Sequence, residues 1–319
     1  MMKRVVITGA TSMIGVALTA ECLKNGIEVY AVVRPGSQKM VRLWADEKMH
    51  IVECAIEELV TLPEKIEEPC DTFYHIAWGH TGAARNVSVE LQSNNIMYTM
   101  QAIRAAKTMD CRRFIGAGSQ AEYGVKNLDR IKPETPADPT TPYGVSKLAA
   151  GRLAFLLCRE LGLECIWPRI FSVYGIYDKE SSMITSSLRK MLLGEPTAFT
   201  KGEQRWDYLY SKDAGRAFYL LGEKGRDKAV YCIGYGEAFT LADFIYKMKD
   251  AVDPAIIPGL GKKAYPAGAV MNLCADISSL QEDTGFIPEY NFDEGIKETL
   301  KWLRRTTDEK ENIGSYPYL

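Results

Sequence analysis

The segment from Lys3 to Gly15 restricts the fold more than any other stretch of the chain. Lys3 to Thr8 is a short apolar run, and Thr8-Gly-Ala-Thr-Ser-Met-Ile-Gly15 leads straight into an amphipathic helix that ends near Asn25-Gly26. A strand, a glycine turn and a helix start bring backbone N–H groups and the positive end of the helix dipole to one point, which makes a pyrophosphate site. Gly9 and Gly15 hold the outer positions of a Gly-x-x-Gly-x-x-Gly spacing, and Ser12 stands where the middle glycine would be. Serine is small enough to permit close approach, and its hydroxyl can donate to phosphate. The cradle is assigned to Gly9, Thr11, Ser12, Met13, Ile14 and Gly15. A chain opening in this way is expected to be α/β, with a Rossmann-type doubly wound parallel sheet.

The following segments suit that expectation. Strands are read at residues 27–33, 50–54, 71–77, 113–118 and 164–168, and a long helix at 89–107. In such sheets ligands lie at the carboxyl ends of the strands. The second strand ends in Arg34, where an acidic residue would hold the ribose hydroxyls of NAD; a guanidinium pairs instead with a 2′-phosphate. NADP is therefore the expected cofactor, with NAD as the alternative. Ile56 follows the third strand, where adenine would lie, and Ala77 and Trp78 end the fourth against the cofactor. His75 reads as a buried polar side chain with a local partner. Residues 1–170 are expected to form the dinucleotide-binding domain, joined by part of 207–240, and 171–319 a smaller α/β substrate domain.

Tyr143-Gly-Val-Ser-Lys147 opens another helix, which Gly162 can stop. Tyrosine and lysine four apart share one helical face. A free tyrosine has a pKa of about 10, and an ammonium about 4 Å away contributes on the order of 4 kcal/mol at an effective dielectric of 20, or roughly three pKa units. The phenol of Tyr143 then becomes an acid or base for neutral pH. A Tyr-x-x-x-Lys spacing arises by chance roughly once in a chain like this one, so the assignment rests on its neighbours. Ser119, delivered at the carboxyl end of the fifth strand, can share the substrate oxygen that Tyr143 protonates. Ser119, Tyr143 and Lys147 together suit hydride transfer at a carbonyl.

Charge and composition remove other classes. The chain carries 39 basic and 41 acidic residues, so no nucleic-acid or membrane-surface partner is expected. Eight cysteines without a Cys-x-x-Cys spacing suit reduced thiols and a cytoplasmic setting, and three histidines give no metal site. Only Val5-Val6-Ile7 precedes Gly9, too short for a signal segment, and no apolar run spans a bilayer.

Taken together, Thr8–Gly15, Ser119–Gly124, Tyr143–Lys147 and Arg169–Gly175 resemble the extended short-chain dehydrogenase/reductase family, and within it the NAD-dependent epimerase/dehydratase group that modifies nucleotide sugars. The similarity extends through Asp207–Asp213 to Trp302. It implies that Tyr143 is the acid/base, that Lys147 lowers its pKa and holds the nicotinamide ribose, and that Ser119 binds the reacting oxygen. It places Asn95, or Asn94 in the other register, in support of the lysine. Phe171 and Ser172 fall beside the nicotinamide or sugar. Where the family's dehydratases carry an Asp-Glu pair this chain has Gln120 and Ala121, which argues against 4,6-dehydration and leaves Gln120 as a substrate contact. Relatives place a diphosphate-binding arginine directly before Asp207; here Trp206 holds that position and Arg205 precedes it, and both are assigned to the substrate, although in an extended segment one residue of slip turns Arg205 to the opposite face and leaves Trp206 to stack on base or sugar. The resemblance implies a ketoreductase acting on a nucleotide-linked deoxy-keto sugar, with a 4-epimerase that retains its cofactor as the alternative and a non-catalytic cofactor-binding regulator as the reading from another class. It also implies a homodimer through helices 89–107 and 143–161. Helices are expected at 180–196, 241–252 and 293–303, before a charged and then aromatic tail, Tyr316-Pro-Tyr-Leu319, that either frays or docks on another subunit.

Overall fold

A computed structural model of the chain describes residues 1–308 except 127 and 267, so the aromatic tail lies outside the described residues. The first half runs β1 (Arg4–Thr8), α1 (Met13–Lys24), β2 (Glu28–Val33), β3 (Met49–Glu53), β4 (Thr72–His75), α2 (Val89–Thr108), β5 (Arg113–Gly116), β6 (Gly118–Ser119), α3 (Pro142–Leu161) and β7 (Glu164–Ile170). The remainder is β8 (Ser172–Tyr174), α4 (Met183–Leu192), β9 (Arg205–Trp206), β10 (Tyr208–Tyr210), α5 (Ser211–Lys224), β11 (Val230–Ile233), β12 (Phe239–Thr240), α6 (Leu241–Val252), β13 (Asn272–Leu273), α7 (Ser278–Thr284) and α8 (Phe292–Asp308).

Val5, Val6 and Ile7 are fully buried, as strands covered by helices on both faces must be. The main sheet has the order β11-β7-β5-β4-β1-β2-β3, with β6 also paired to β7, and all its pairings are parallel. This is the Rossmann-type doubly wound sheet. Its strand order reverses between β1 and β4, which opens the ligand crevice at their carboxyl ends.

The chain then returns to this sheet: β11 pairs with β7, Val230 opposite Trp167. A second layer forms beside the carboxyl edge, where β10 pairs with β8 and β9 lies between β12 and β13. Its core is aromatic. Phe244 and Phe292 stand 4.5 Å apart by ring centroids, and Tyr208 packs edge-on to Phe244 at 5.0 Å.

Three elements differ from the sequence reading. The fifth strand breaks at Ala117 into β5 and β6. The helix over the cavity is shorter, with Ser182 capping Met183–Leu192. Helix α1 is not one-sided: Val16 to Ala20, Cys22 and Leu23 are all buried, because α5 covers the face turned from the sheet. A Cβ on Gly215 of α5 would collide with the backbone of Ala17. Replacing a helical glycine by alanine ordinarily stabilises by roughly 1 kcal/mol. Gly215→Ala is instead expected to cost about 1–3 kcal/mol through overpacking, read as a lower midpoint with unchanged slope in urea unfolding; a raised midpoint would rule out the close α1–α5 contact.

Candidate active site

Thr8 fastens the two strands at the crevice. Its hydroxyl lies 2.9 Å from His75 Nδ1 and accepts from Ala77 N at 3.3 Å, which gives His75 the local partner expected of it. Gly9 turns with φ +71°, and a Cβ there would lie 2.8 Å from Ala77 N. A Cβ on Gly15 would collide with Gly9 O, so the start of α1 sits flush on the turn. Ser12 Oγ caps α1 by accepting from Gly15 N at 3.0 Å, a duty additional to the phosphate contact assigned to it. The bare glycines and the helix start fit a dinucleotide: Gly9, Ser12, Met13, Ile14 and Gly15 would hold its pyrophosphate. Thr11 contributes to the frame, its carbonyl accepting from Arg42 Nη1 at 3.1 Å.

Helix α3 begins at Pro142, which suits a first turn because its missing N–H needs no partner, and Thr141 caps it by accepting from Gly144 N at 3.2 Å. Tyr143 is thereby presented beside Ser119. Ser119 is itself held by Glu122, whose carboxylate accepts from Ser119 N at 2.8 Å, Trp167 Nε1 at 3.0 Å and Arg169 Nε at 2.7 Å. Glu122 is fully buried. It escaped the sequence reading, yet Ser119-x-x-Glu122 is the spacing of a capping box, and that box forms.

Lys147 departs from expectation. Its ammonium donates to Ala117 O at 2.6 Å and lies 3.6 Å from the centre of the Trp78 ring, but 5.9 Å from that of Tyr143. Burial pushes its pKa down to about 7, against the pull of Glu122 and with a further push from Arg85. Burial likewise raises Tyr143 above the ordinary phenol value, and the groups that oppose this are Arg85 and Ser119. Arg85 and Ser119 are the groups that lower Tyr143 here, where the spacing points to Lys147. The helical face is shared, but Trp78 and Ala117 draw the ammonium aside.

These groups line a cavity of about 570 Å³ with Ser12, Met13, Ile14, Trp78, Gln120, Phe171 and Ser172. Another, of about 530 Å³, lies behind Glu122 and Arg169 and is lined by neither Tyr143 nor Lys147. Asn95 is tied to the residue that follows the lysine's tryptophan partner. Its Oδ1 accepts from Gly79 N at 2.6 Å, so it fixes the turn after Trp78, while Lys147 is held by Ala117. Trp78 is locked through Gln92 at 2.9 Å. Ile56 packs on the hydrophobic core outside this cavity, and Arg34 is exposed at the end of β2. Arg205 turns away, donating to Ala238 O at 2.6 Å, whereas Trp206 Nε1 donates to Ser172 Oγ at 2.8 Å on the cavity wall. Adjacent strand residues face opposite ways. The cavity also gathers Lys39, Arg42, Arg85, Asp178 and Lys179, none of which the sequence reading named. Arg85 lies over Tyr143 with its Cζ 4.1 Å from the ring centre.

A glycine turn and helix start facing a tyrosine, a serine and a buried lysine make an arrangement that fits a dinucleotide beside an acid/base. The description "NAD dependent epimerase/dehydratase family" matches residues 5–234, and the chain belongs to that family. A dTDP-glucose 4,6-dehydratase of Haemophilus influenzae is 23% identical over 94% of this chain and 98% of its own length. The crystal structure of UDP-glucose 4-epimerase from Thermotoga maritima with UDP-glucose superposes with a TM-score of 0.85 at 23% identity, covering 95% of this chain and 99% of that one. MoeE5 in complex with UDP-glucuronic acid and NAD gives 0.80 at 26% identity over 95% and 99%.

Lys147 yields a pH-dependent prediction. Its folded pKa of about 7 lies below the ordinary lysine value of 10.5, so the unfolded chain binds more protons between these limits and stability rises with pH across them. The burial cost is complete below pH 7 and gone near 10.5. Lys147→Met is expected to be more stable than the parent by a few kcal/mol at pH 6, on the order of what an unpaired buried charge costs, and to lose this advantage as pH rises toward 10. Urea unfolding of both proteins across pH checks this; an advantage independent of pH would refute it.

Proposed function

We propose that the chain is an NADP-dependent reductase of a nucleotide-linked deoxy-keto sugar. The observation that carries this reading is the meeting of Tyr143, Ser119 and Lys147 in one cavity with the start of α1. A nicotinamide held by the start of α1 would supply hydride to the carbonyl carbon. Ser119 binds the carbonyl oxygen and Tyr143 protonates it, while Lys147 holds the nicotinamide ribose and restores the proton. Gln120 faces the cavity where a dehydratase acid would stand, and Glu122 is committed to Arg169.

Arg34 at the end of β2, with Lys39 and Arg42 at the cavity, supports a 2′-phosphate. The NAD bound in MoeE5 favours NAD instead. The likeness to UDP-glucose 4-epimerase keeps a 4-epimerase as the second reading. Exposed Met97 on α2 and Val145, Leu153 and Leu156 on α3 support a homodimer through these helices. Eight buried free cysteines are in keeping with a cytoplasmic setting.

Given UDP- or dTDP-linked 4-keto-6-deoxy sugars, the protein is expected to oxidise NADPH in step with sugar consumed, and Tyr143→Phe to lose at least roughly 100-fold in kcat. Interconversion of sugar epimers without net NADPH oxidation would establish the epimerase. Equal use of NADH, unaltered by Arg34→Ala, would remove the NADP assignment.

A further inference from the structure

We propose that Arg85 is the counter-ion of the Tyr143 phenolate, so that the acidity of the proton-transferring phenol is set by a cation laid over it from a neighbouring loop; this rests on Tyr143 being the proton carrier of the function proposed above. Arg85 belongs to the turn Ala83–Asn86, and its guanidinium carbon stands 4.1 Å from the centre of the Tyr143 ring. Its Nε is buried without a hydrogen-bond partner, and among the described residues no carboxylate lies within ion-pairing distance of it. The chain is tied just before this turn. Lys179 Nζ donates to Thr81 O at 2.9 Å, and Gln92 Nε2 donates to His80 O at 2.9 Å. A half-buried guanidinium whose Nε is shielded from water and lacks a partner, lying over an ionisable ring, has the negative phenolate oxygen as its natural acceptor.

The charges around Tyr143 assign the parts. On its own helix, Lys147 is tied to Ala117 O and Trp78 and lies 5.9 Å from the ring centre. From the turn after β6, the Glu122 carboxylate raises the phenol pKa, and the Ser119 hydroxyl lowers it. Asp178 and Lys179 share the cavity. Arg85 leads the influences that lower Tyr143. A guanidinium also keeps its charge at every pH at which a protein is folded, whereas Lys147, at about 7, changes charge across neutrality. Arg85 therefore supplies a constant field where Lys147 supplies a variable one. In the reaction the phenol O–H bond breaks, its proton passes to the substrate oxygen, and the negative charge left on Tyr143 faces Arg85.

The test is a spectrophotometric titration of the phenolate without substrate, taking each protein minus its own Tyr143→Phe counterpart, in the parent, Arg85→Gln and Arg85→Lys backgrounds. Arg85→Gln is expected to move the Tyr143 midpoint up by about one pH unit or more, and Arg85→Lys by less than half as much. The pH limit of kcat should move in the same direction. A midpoint unchanged in both variants, with circular-dichroism melting like the parent, overturns the proposal. Should Arg85→Gln fail to fold, the Lys variant decides: a midpoint moved up supports the assignment and an unmoved one overturns it. A shifted midpoint with an unshifted kcat profile leaves the counter-ion standing and refutes Tyr143 as the proton carrier.

Discussion

The carboxylate of Glu122 fixes the geometry on which the site depends. It is fully buried, and three donors hold it: the amide of Ser119, the indole of Trp167 and the guanidinium of Arg169. Removing two charges from water costs several kcal/mol, and their mutual attraction offsets this only when the remaining lone pairs are satisfied. Here they are. The result is positional: β6 is bound to β7, the backbone of Ser119 is held in place, and Arg169 extends the tie to Pro133 O at 3.1 Å. Gly118 must lack a side chain, because a Cβ would come within 2.8 Å of Glu122 Oε1. One buried carboxylate thus dictates the residues before and after it in the chain.

Much of the fold could be read from the chain because parallel strands and helix ends obey local rules. Val5-Val6-Ile7 is apolar throughout since both faces of β1 are covered, and Gly162 stops α3 in the left-handed conformation that glycine adopts freely. The break at Ala117 and the all-round burial of α1 were not legible, since each is imposed by a partner distant in sequence. The same limit applies to the site. Tyr143, Ser119 and the turn residues carry short-range signatures, whereas the pairing of Glu122 with Arg169 spans 47 residues and that of Arg85 with Tyr143 joins a loop to a helix. Arg205 shows the converse. It stands one residue short of the position where relatives carry a diphosphate-binding arginine, and the alternation of β9 accordingly turns it to Ala238.

The position of Lys147 is the clearest case of tertiary structure overriding a motif. Four residues of helix bring the lysine to the face of Tyr143, yet a tryptophan after β4 offers its ring at 3.6 Å and the Ala117 carbonyl offers a hydrogen bond at 2.6 Å. Together these are stronger than any pull the neutral phenol exerts. Trp78 is not free to yield, being fastened to Gln92, which also holds the His80 carbonyl. The turn that carries Arg85 and the indole that draws Lys147 aside are consequently parts of one assembly at the carboxyl end of β4.

This arrangement leaves the cavity crowded with cations. Lys39, Arg42, Arg85, Lys147 and Lys179 line it, with Asp178 as the carboxylate among them. Their mutual repulsion is visible in the lysines: Lys179 is lowered by burial and then by Arg85, and Lys39 by burial and then by Arg42 and Arg34. Helix dipole and bare glycine turn add more positive potential at the same place. Folding alone cannot relieve this crowding, because a carboxylate supplied by the protein would occupy the space a ligand needs. Phosphate groups entering the cavity would relieve it, so the same charges that lower the stability of the chain would favour an anionic ligand. Arg85 stands at the inner end of this array, over Tyr143, where the negative charge to be met is made by the reaction itself.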